Sequence, residues 1–175
     1  MMLLLPQEQV IMCSPDKDLA QMVRDDKVIA LDRRRNLALN EAGVIEKFGV
    51  SPKSIPDYLA LVGDPADGIP GIPRWGAKTA AAALQHYGHI EHIPGDSSRW
   101  EIDVRGAKAI AASLAEHREA ALLYKKLATL RLDATITETL DQLEWRGVHR
   151  EEFYDLCQEL GFSRLMELPY KWADA

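Results

Sequence analysis

Two carboxylates, Asp64 and Asp67, stand one helical turn apart in the stretch from Asp57 to Ala82, DYLALVGDPADGIPGIPRWGAKTAAA. A loop follows at once, carrying Gly68, Pro70, Gly71, Pro73 and Gly76, and then an alanine-rich helix with Lys78 and Thr79 in its first turn. Aspartates hold hard metal ions through oxygen. Glycines let a backbone come close to a ligand. A helix start offers unpaired N–H groups and a positive dipole end, which suit an anion. Each part therefore has a use with phosphate. Lys78 opposes the helix dipole by about 0.3–1 kcal/mol. Either it is tolerated on the surface or a phosphate sits beside it.

A second acid pair, Asp16 and Asp18, follows the apolar run QVIMCS, from Gln9 to Ser14, which reads as a short buried strand. Leu19, Met22 and Val23 then recur at helical spacing. Ligand-binding residues of α/β sheets gather where a strand ends and a helix begins. Residues two apart do not face each other inside a helix, but at such a bend they can. The alternative is that Asp16 or Asp18 caps the helix.

The elements that must position these groups are legible in outline. Val28 to Asp32 and Leu37 to Leu39 read as strands, with Arg33, Arg34 and Arg35 at a hairpin tip between them. That tip is either a solvated turn or a contact to a nucleic-acid backbone. Asn40 caps a helix that ends near Phe48, with Gly49 as its stop. Pro56 opens the next helix, whose buried side is Tyr58, Leu59, Leu61 and Val62. A helix from Ala77 to about Tyr87 ends at Gly88. His86, His89 and His92 recur every third residue, but Gly88 interrupts them and no cysteine or clustered carboxylate completes a zinc set. Ile93 to Asp103 is a connector in which Trp100 is a packing residue. Ala107 to Leu130 is helical with a break near His117, its apolar positions being Ile110, Leu114, Ala121, Leu122 and Leu127. An extended piece near Thr135 to Thr137 leads to Leu140, Leu143 and Trp145. The last helix, from about Glu151 to Leu160, carries Phe153, Leu156, Cys157 and Leu160 at core periodicity and is capped by Gly161.

The chain has 175 residues, 47% hydrophobic and 27% charged, enough for one globular domain with a core. Its formal net charge of −6 does not announce nucleic-acid binding, so any such contact must be local. Cys13 and Cys157 read as two buried, reduced thiols. No run is long enough to span a membrane. The apolar residues Met1 to Leu5 lack the basic region and core of a signal peptide, so the expected compartment is the cytoplasm.

The residues from Gly63 to Ala80, GD-x-x-D-x-I-P-G-I-P-x-x-G-x-K-T-A, resemble the signature of the 5′ nuclease family. That family includes the 5′-3′ exonuclease domain of bacterial DNA polymerase I, phage 5′ nucleases and, more distantly, flap endonucleases. SPDKDLAQMV resembles its second acidic motif, and YKKLATLR before an acidic extended segment resembles a later one. The resemblance implies a mostly helical α/β fold. Residues 1–50 would be the remnant of a PIN-like (Rossmann-like) nuclease core. Residues 51–175 would be the helical C-terminal region with a helix-three-turn-helix, the whole forming one continuous domain.

The resemblance also implies a site. Asp16, Asp18, Asp64 and Asp67 would be the catalytic residues and ligands, direct or through water, of two magnesium or manganese ions roughly 4 Å apart. Gly71, Arg74, Gly76, Lys78 and Thr79 would grip the phosphates of duplex DNA near a 5′ end or flap, without reading sequence. Backbone carbonyls of the hairpin would hold a monovalent cation. Arg74 stands where the family has a glycine, and needs a backbone angle that an arginine can adopt. Gly68 replaces the usual asparagine and brings no side-chain hydrogen bond. The resemblance covers only the second half of the family domain. The expectation is a nuclease whose first half, with further acids and a catalytic lysine and arginine, is missing or separate. The alternatives are a non-catalytic DNA-binding module or half of a split nuclease, and, more weakly, a ribonuclease of PIN-like fold, which does not need the glycine-proline hairpin.

Overall fold

The computed structural model describes residues 9–173; the apolar stretch Met1 to Leu5 lies outside them. The chain divides into two compact units, residues 1–132 and 133–175.

In the first unit, β1 (Val10–Met12), β2 (Val28–Asp32) and β3 (Leu37–Leu39) form a sheet in that order. β1 is parallel to β2, with Met12 opposite Ala30, and β2 is antiparallel to β3, with Ala30 opposite Leu39. β1 is not the buried strand its composition suggests, because it lies at the sheet's edge and leaves Ile11 48% exposed. Cys13 just beyond it is exposed too, which corrects the expectation of two buried thiols. The helix expected after Asp18 is a single 3-10 turn, Asp18–Met22. Val23 is already extended, and Arg24 bridges to Val28, so the chain turns straight into β2.

α1 (Glu41–Phe48) begins where the Asn40 side chain accepts a hydrogen bond from the Gly43 N–H, and ends at Gly49 with φ +73°. This is the expected cap and stop. α2 (Ile55–Val62) has Pro56 in its first turn and buries Ile55, Leu59, Ala60 and Leu61. α3 (Ala77–Tyr87) ends at Gly88. α4 (Ala107–Glu116) and α5 (Arg118–Ala128) share His117 as the break between them. The core runs without interruption from Ala30 on the sheet through Val44, Leu59, Leu84 and Leu114 to Ala128.

α5 presents a different face from the one its leucines suggest. Ala121 and Ala128 are buried, whereas Leu122, Leu123 and Leu127 are exposed. The reason lies in α2. Asp57 is wholly buried and takes the Lys125 ammonium at 2.8 Å, His89 Nδ1 at 2.9 Å and the Ile90 N–H at 2.9 Å. Lys125 also meets Glu91 at 2.7 Å. Burial pulls the Lys125 pKa down, but the hydrogen bonds it donates to Asp57 and Glu91 outweigh that and hold it above the ordinary lysine value. A buried carboxylate without its partner costs about 3–5 kcal/mol. That ion pair turns the small-residue side of α5 inward.

The segment joining α2 to α3 is fixed by contact between two backbones. A Cβ on Gly71 would lie 2.7 Å from the Val62 carbonyl and the Gly63 nitrogen, and one on Gly63 would lie 2.9 Å from Ile69 and Pro70. The Ile72 N–H donates to the Leu61 carbonyl at 2.8 Å, and Asp64 and Ile69 exchange backbone hydrogen bonds at 2.8 and 2.9 Å. Trp75 is buried and donates from Nε1 to the Ile110 carbonyl at 3.2 Å, while Ser113 Oγ donates to the Pro73 carbonyl at 2.6 Å. α4 thereby holds the loop from behind.

In the second unit, Val148 pairs with Trp172 in a parallel bridge, and Phe153 and Tyr154 of α6 (Arg150–Leu160) stack near the Trp172 ring. Cys157 is buried. Leu156 and Leu160 are about half exposed despite their core periodicity, and residues 133–139 form no strand.

The glycine contact yields a stability comparison. Gly71 and Gly68 both have positive φ, but the space around a Cβ at Gly68 is open. Gly68→Ala should cost about 1–2 kcal/mol from backbone strain alone, and Gly71→Ala clearly more. Urea denaturation of both variants measures the difference, and equal costs would mean the close contact does not matter.

Candidate metal centre

Asp16 and Asp18 reach the site from the sheet. The chain leaves β1 and bends, with Ser14 Oγ accepting from the Asp16 N–H at 3.2 Å and Asp16 Oδ1 accepting from the Asp18 N–H at 3.0 Å. One Asp16 oxygen therefore serves this bend, although it does not cap the 3-10 turn, whose N-cap is Lys17 with no side-chain cap bond. Asp67 arrives from the other side, in the tight turn after α2, its N–H donating to the Asp64 carbonyl at 3.1 Å. Asp16, Asp18 and Asp67 each offer a carboxylate oxygen within 4.8 Å of the other two.

Asp64 is placed differently. It is buried, accepts the Lys17 ammonium at 2.7 Å and also accepts from the Ala66 N–H at 3.2 Å. It lines the same cleft as Ser14, Asp16, Lys17 and Asp67 but stands outside the group of three. Of the four predicted ligands, three share an ion-sized space and the fourth is engaged by a lysine.

The electrostatics of the three single out Asp18. Its Oδ1 is buried and has no hydrogen-bond partner. Burial, then the negative charges of Asp16, Asp67 and Asp64, push its pKa from 3.8 to about 6, against the opposing pull of Lys17. A buried polar atom left without a partner costs about 1–3 kcal/mol. An all-oxygen donor set with an orphaned carboxylate oxygen at its centre fits a hard divalent cation.

The predicted phosphate contacts lie on the same segment as Asp67. Arg74, Gly76 and Lys78 are exposed, and Thr79 is half-buried. No side chain caps the start of α3, so its first N–H groups have none to bond. Gly71 has another duty. It is buried, and its missing Cβ serves the close contact with Val62 and Gly63 rather than the approach of a ligand. Gly68 has φ +71°, a conformation that glycine and asparagine both tolerate. Arg74 adopts φ +71° as well, a strained value for an arginine.

Lys17, Trp75 and Ser113 escaped the sequence reading. Lys17 had a signal, since a cation between two aspartates in DKD asks for an anionic partner. Ser113 had none, because its partner carbonyl lies 40 residues away. The three histidines bond to different partners: His86 meets Glu101 at 3.0 Å, His89 meets Asp57, and His92 meets the Tyr87 carbonyl at 3.0 Å, with the His89 and His92 rings edge to face at 5.9 Å.

The chain is similar to known proteins over most of its length. The family described as 5′-3′ exonuclease, C-terminal SAM fold, matches residues 50–151. DNA polymerase I of Pseudomonas aeruginosa is 36% identical over 166 residues, 90% of this chain and 17% of that protein. A 5′-3′ exonuclease of Buchnera aphidicola subsp. Schizaphis graminum is 35% identical over 157 residues, 89% of this chain and 54% of that protein. The chain thus spans about half the length of that exonuclease relative and under a fifth of the polymerase. Among solved structures, T5 5′-exonuclease with bound zinc superposes with a TM-score of 0.57 at 19% identity, covering 69% of this chain and 43% of that one. T5 flap endonuclease in complex with DNA and metal ions gives a TM-score of 0.57 at 18% identity, with the same coverage. Likeness at that identity is likeness of fold. Among the described residues, no helix is long and apolar enough to cross a membrane.

Two outcomes follow from the site's charges and angles. The folded chain keeps a proton on Asp18 between 3.8 and about 6 that the unfolded chain has released. Its contribution to stability is complete below the lower value and lost as pH rises through the upper one. Asp18→Asn should therefore raise the melting temperature of the metal-free protein at about pH 7.5 and leave it nearly unchanged at about pH 3.5. Magnesium or manganese should raise the melting temperature of the parent chain, and the same variant should lose most of that rise. Arg74→Gly should stabilise the protein by about 1 kcal/mol through relief of strain, seen in a shifted urea midpoint.

Proposed function

Because the chain belongs to the 5′-3′ exonuclease family, through that family's C-terminal region, we propose that it is the DNA-gripping and partly metal-binding portion of a structure-specific 5′ nuclease. The observation that carries this reading is the unpartnered Asp18 oxygen among three converging carboxylates. Asp16, Asp18 and Asp67 would hold a magnesium or manganese ion. Such an ion supplies Lewis-acid polarisation of a phosphoryl oxygen. Asp64, paired with Lys17, acts from the edge of the site, through a water or by fixing the lysine.

The two N-terminal aspartates belong to a PIN-like core and the α2–α3 segment to a helix-three-turn-helix. The grip on duplex DNA comes from Arg74, Gly76, Lys78 and Thr79 with the start of α3, and Gly71 shapes the turn they stand on. Exposed cations and open N–H groups bind phosphates without reading bases. Hairpin carbonyls would take a monovalent cation. That T5 flap endonuclease is solved with DNA and metal ions supports the assignment. The setting is the nucleoid in the cytoplasm, in DNA replication and repair.

Three carboxylates suffice for one ion, whereas hydrolysis by two ions needs more ligands and a cation aimed at the phosphorus. We assign those to the other half of the family domain, in the same polypeptide or a separate one. Loss of a single donor to the developing charge costs about 100-fold or more in rate. Residues 1–175 alone should therefore cleave a 5′-labelled flap substrate very poorly in magnesium. Adding a family first half should restore 5′-3′ exonuclease and flap cleavage, and Asp16→Asn or Asp67→Asn should abolish the restored activity. Strong cleavage by the isolated chain that vanishes in Asp67→Asn would show that these residues suffice. DNA binding with no cleavage under any pairing would leave a non-catalytic DNA-binding module.

A further inference from the structure

The family reading makes no use of the arginine run Arg33–Arg35. Its local structure shows three charges of unlike standing. Asp32, the last residue of β2, accepts from the backbone N–H groups of Arg34 and Arg35 at 3.0 and 3.2 Å and from the Arg35 guanidinium at 2.9 Å. Those bonds with Arg35 and Arg34 lower the Asp32 pKa against the effect of burial, so the carboxylate stays ionised and fully engaged. Asn36 then turns the chain with φ +51°. Arg35 is spent on the turn. Arg33 and Arg34 are exposed, and neither side chain makes an ion pair or hydrogen bond among the described residues.

The sheet decides where these two charges point their field. β1 and β2 are parallel with Met12 opposite Ala30, so the chain leaving β1 toward Asp16 and the chain leaving β2 toward Arg33 depart from one edge. Asp16 and Asp32 line a common cleft, together with Ser14, Lys17 and Lys47. The Lys47 ammonium lies 5.0 Å from the Phe48 ring and is exposed. The nearby acids Asp25 and Asp26 precede β2 and sit at its opposite end, about 16 Å away for a five-residue strand. They do not neutralise the tip. In a chain of net charge −6, the β2–β3 tip thus carries two exposed cations with no ion pair among the described residues. The Arg74–Lys78 segment is a separate stretch that follows Asp67, and the end of α1 beyond Lys47 packs on α3, where Gln85 Nε2 donates to the Gly49 carbonyl at 2.7 Å.

We propose that Arg33 and Arg34 at the β2–β3 tip form a second phosphate-binding surface, separate from the Arg74–Lys78 segment, which holds the DNA backbone beside the cleft that Asp16 and Asp32 line. This rests on the reading of the chain as a DNA-gripping nuclease portion and adds to it a second anchor. Guanidinium forks match phosphate oxygens in pairs. Two separate anchors would hold the strand at the site, where a single anchor would let it pivot. The contact is to phosphate and is indifferent to sequence.

The test measures binding of a fluorescein-labelled 5′-flap duplex to the full chain by anisotropy, in calcium, over a series of salt concentrations. The proteins are the parent chain, the double variant Arg33→Ala/Arg34→Ala, its Arg33→Lys/Arg34→Lys counterpart, and Lys78→Ala. Each phosphate contact contributes about 0.9 to the slope of log affinity against log salt. The double alanine variant should bind on the order of tenfold or more weakly at about 0.1 M salt, and its slope should fall by roughly 1.8. The lysine pair should recover most of the slope. The melting temperature should be unchanged, since neither side chain touches the fold. If Lys78→Ala weakens binding while the alanine pair equals the parent in affinity and slope, the second anchor is wrong and the family reading stands. If the alanine pair weakens binding and Lys78→Ala does not, the second anchor stands and the α3 contact falls. If the parent chain binds no DNA, both fail. A change in the magnesium-induced melting shift without a change in DNA affinity would assign the arginines to balancing the carboxylates, and would overturn the proposal.

Discussion

At the end of α2 two backbones meet with no room for a Cβ between them. Gly71 lies against Val62 and Gly63, and Gly63 lies against Ile69 and Pro70. Everything that follows α2 hangs from this contact. It folds the chain back so that Ile72 can donate to Leu61, and it closes the small Asp64–Ile69 bridge on which Asp67 rides. It also sets the place from which Trp75 enters the core beneath α4. One local constraint thus fixes Asp67, the proposed metal ligand, and a helix start in the same segment, so a cation and a bound phosphate would be registered to each other by backbone rather than by flexible side chains.

The chain's important acids divide by whether the fold answers their charge. Asp57 and Asp64 are both buried, and each receives a lysine from a distant element, Lys125 and Lys17 respectively. Both charges are answered by the fold, and removal of either would strand a partner. Asp18 is treated in the opposite way. It is partly buried beside two other aspartates, and one of its oxygens is left with nothing to bind. A fold that satisfies two buried carboxylates and leaves a third unsatisfied holds its strain at one place, and strain of that sign is what a bound cation would relieve. The same division holds among the arginines at the β2–β3 tip, where Arg35 is consumed by the turn and its two neighbours are not.

Much of the first unit was legible in local sequence. Asn40 and Gly49 bound α1, Gly88 ends α3, and the break at His117 separates α4 from α5, because caps and stops act within one turn of where they stand. The hairpin strands and their arginine tip were legible for the same reason. The failures share a cause as well. The leucines of α5 and α6 suggested inward faces that the fold does not use, and QVIMCS suggested a buried strand that lies at an edge. Periodicity reports that a face is apolar, but what covers that face is set by residues far along the chain.

For the site, residue types and spacing by themselves suited Asp64, Asp67, the glycine-proline loop and Lys78 to hard-cation and phosphate chemistry, and left Asp16 and Asp18 between ligand and helix cap until the family resemblance joined them to the set. That much is chemistry of side chains and needs no coordinates. Only the tertiary structure decided which acids share one space. It grouped Asp16, Asp18 and Asp67 and drew Asp64 aside, because Lys17 lies 47 residues away in sequence yet 2.7 Å away in space. It gave Gly71 to packing and left Arg33 and Arg34 unspent at the carboxylate edge of the sheet. Local rules carry no information about such pairings, since the distance between two groups that meet through a core is fixed by the packing of everything between them.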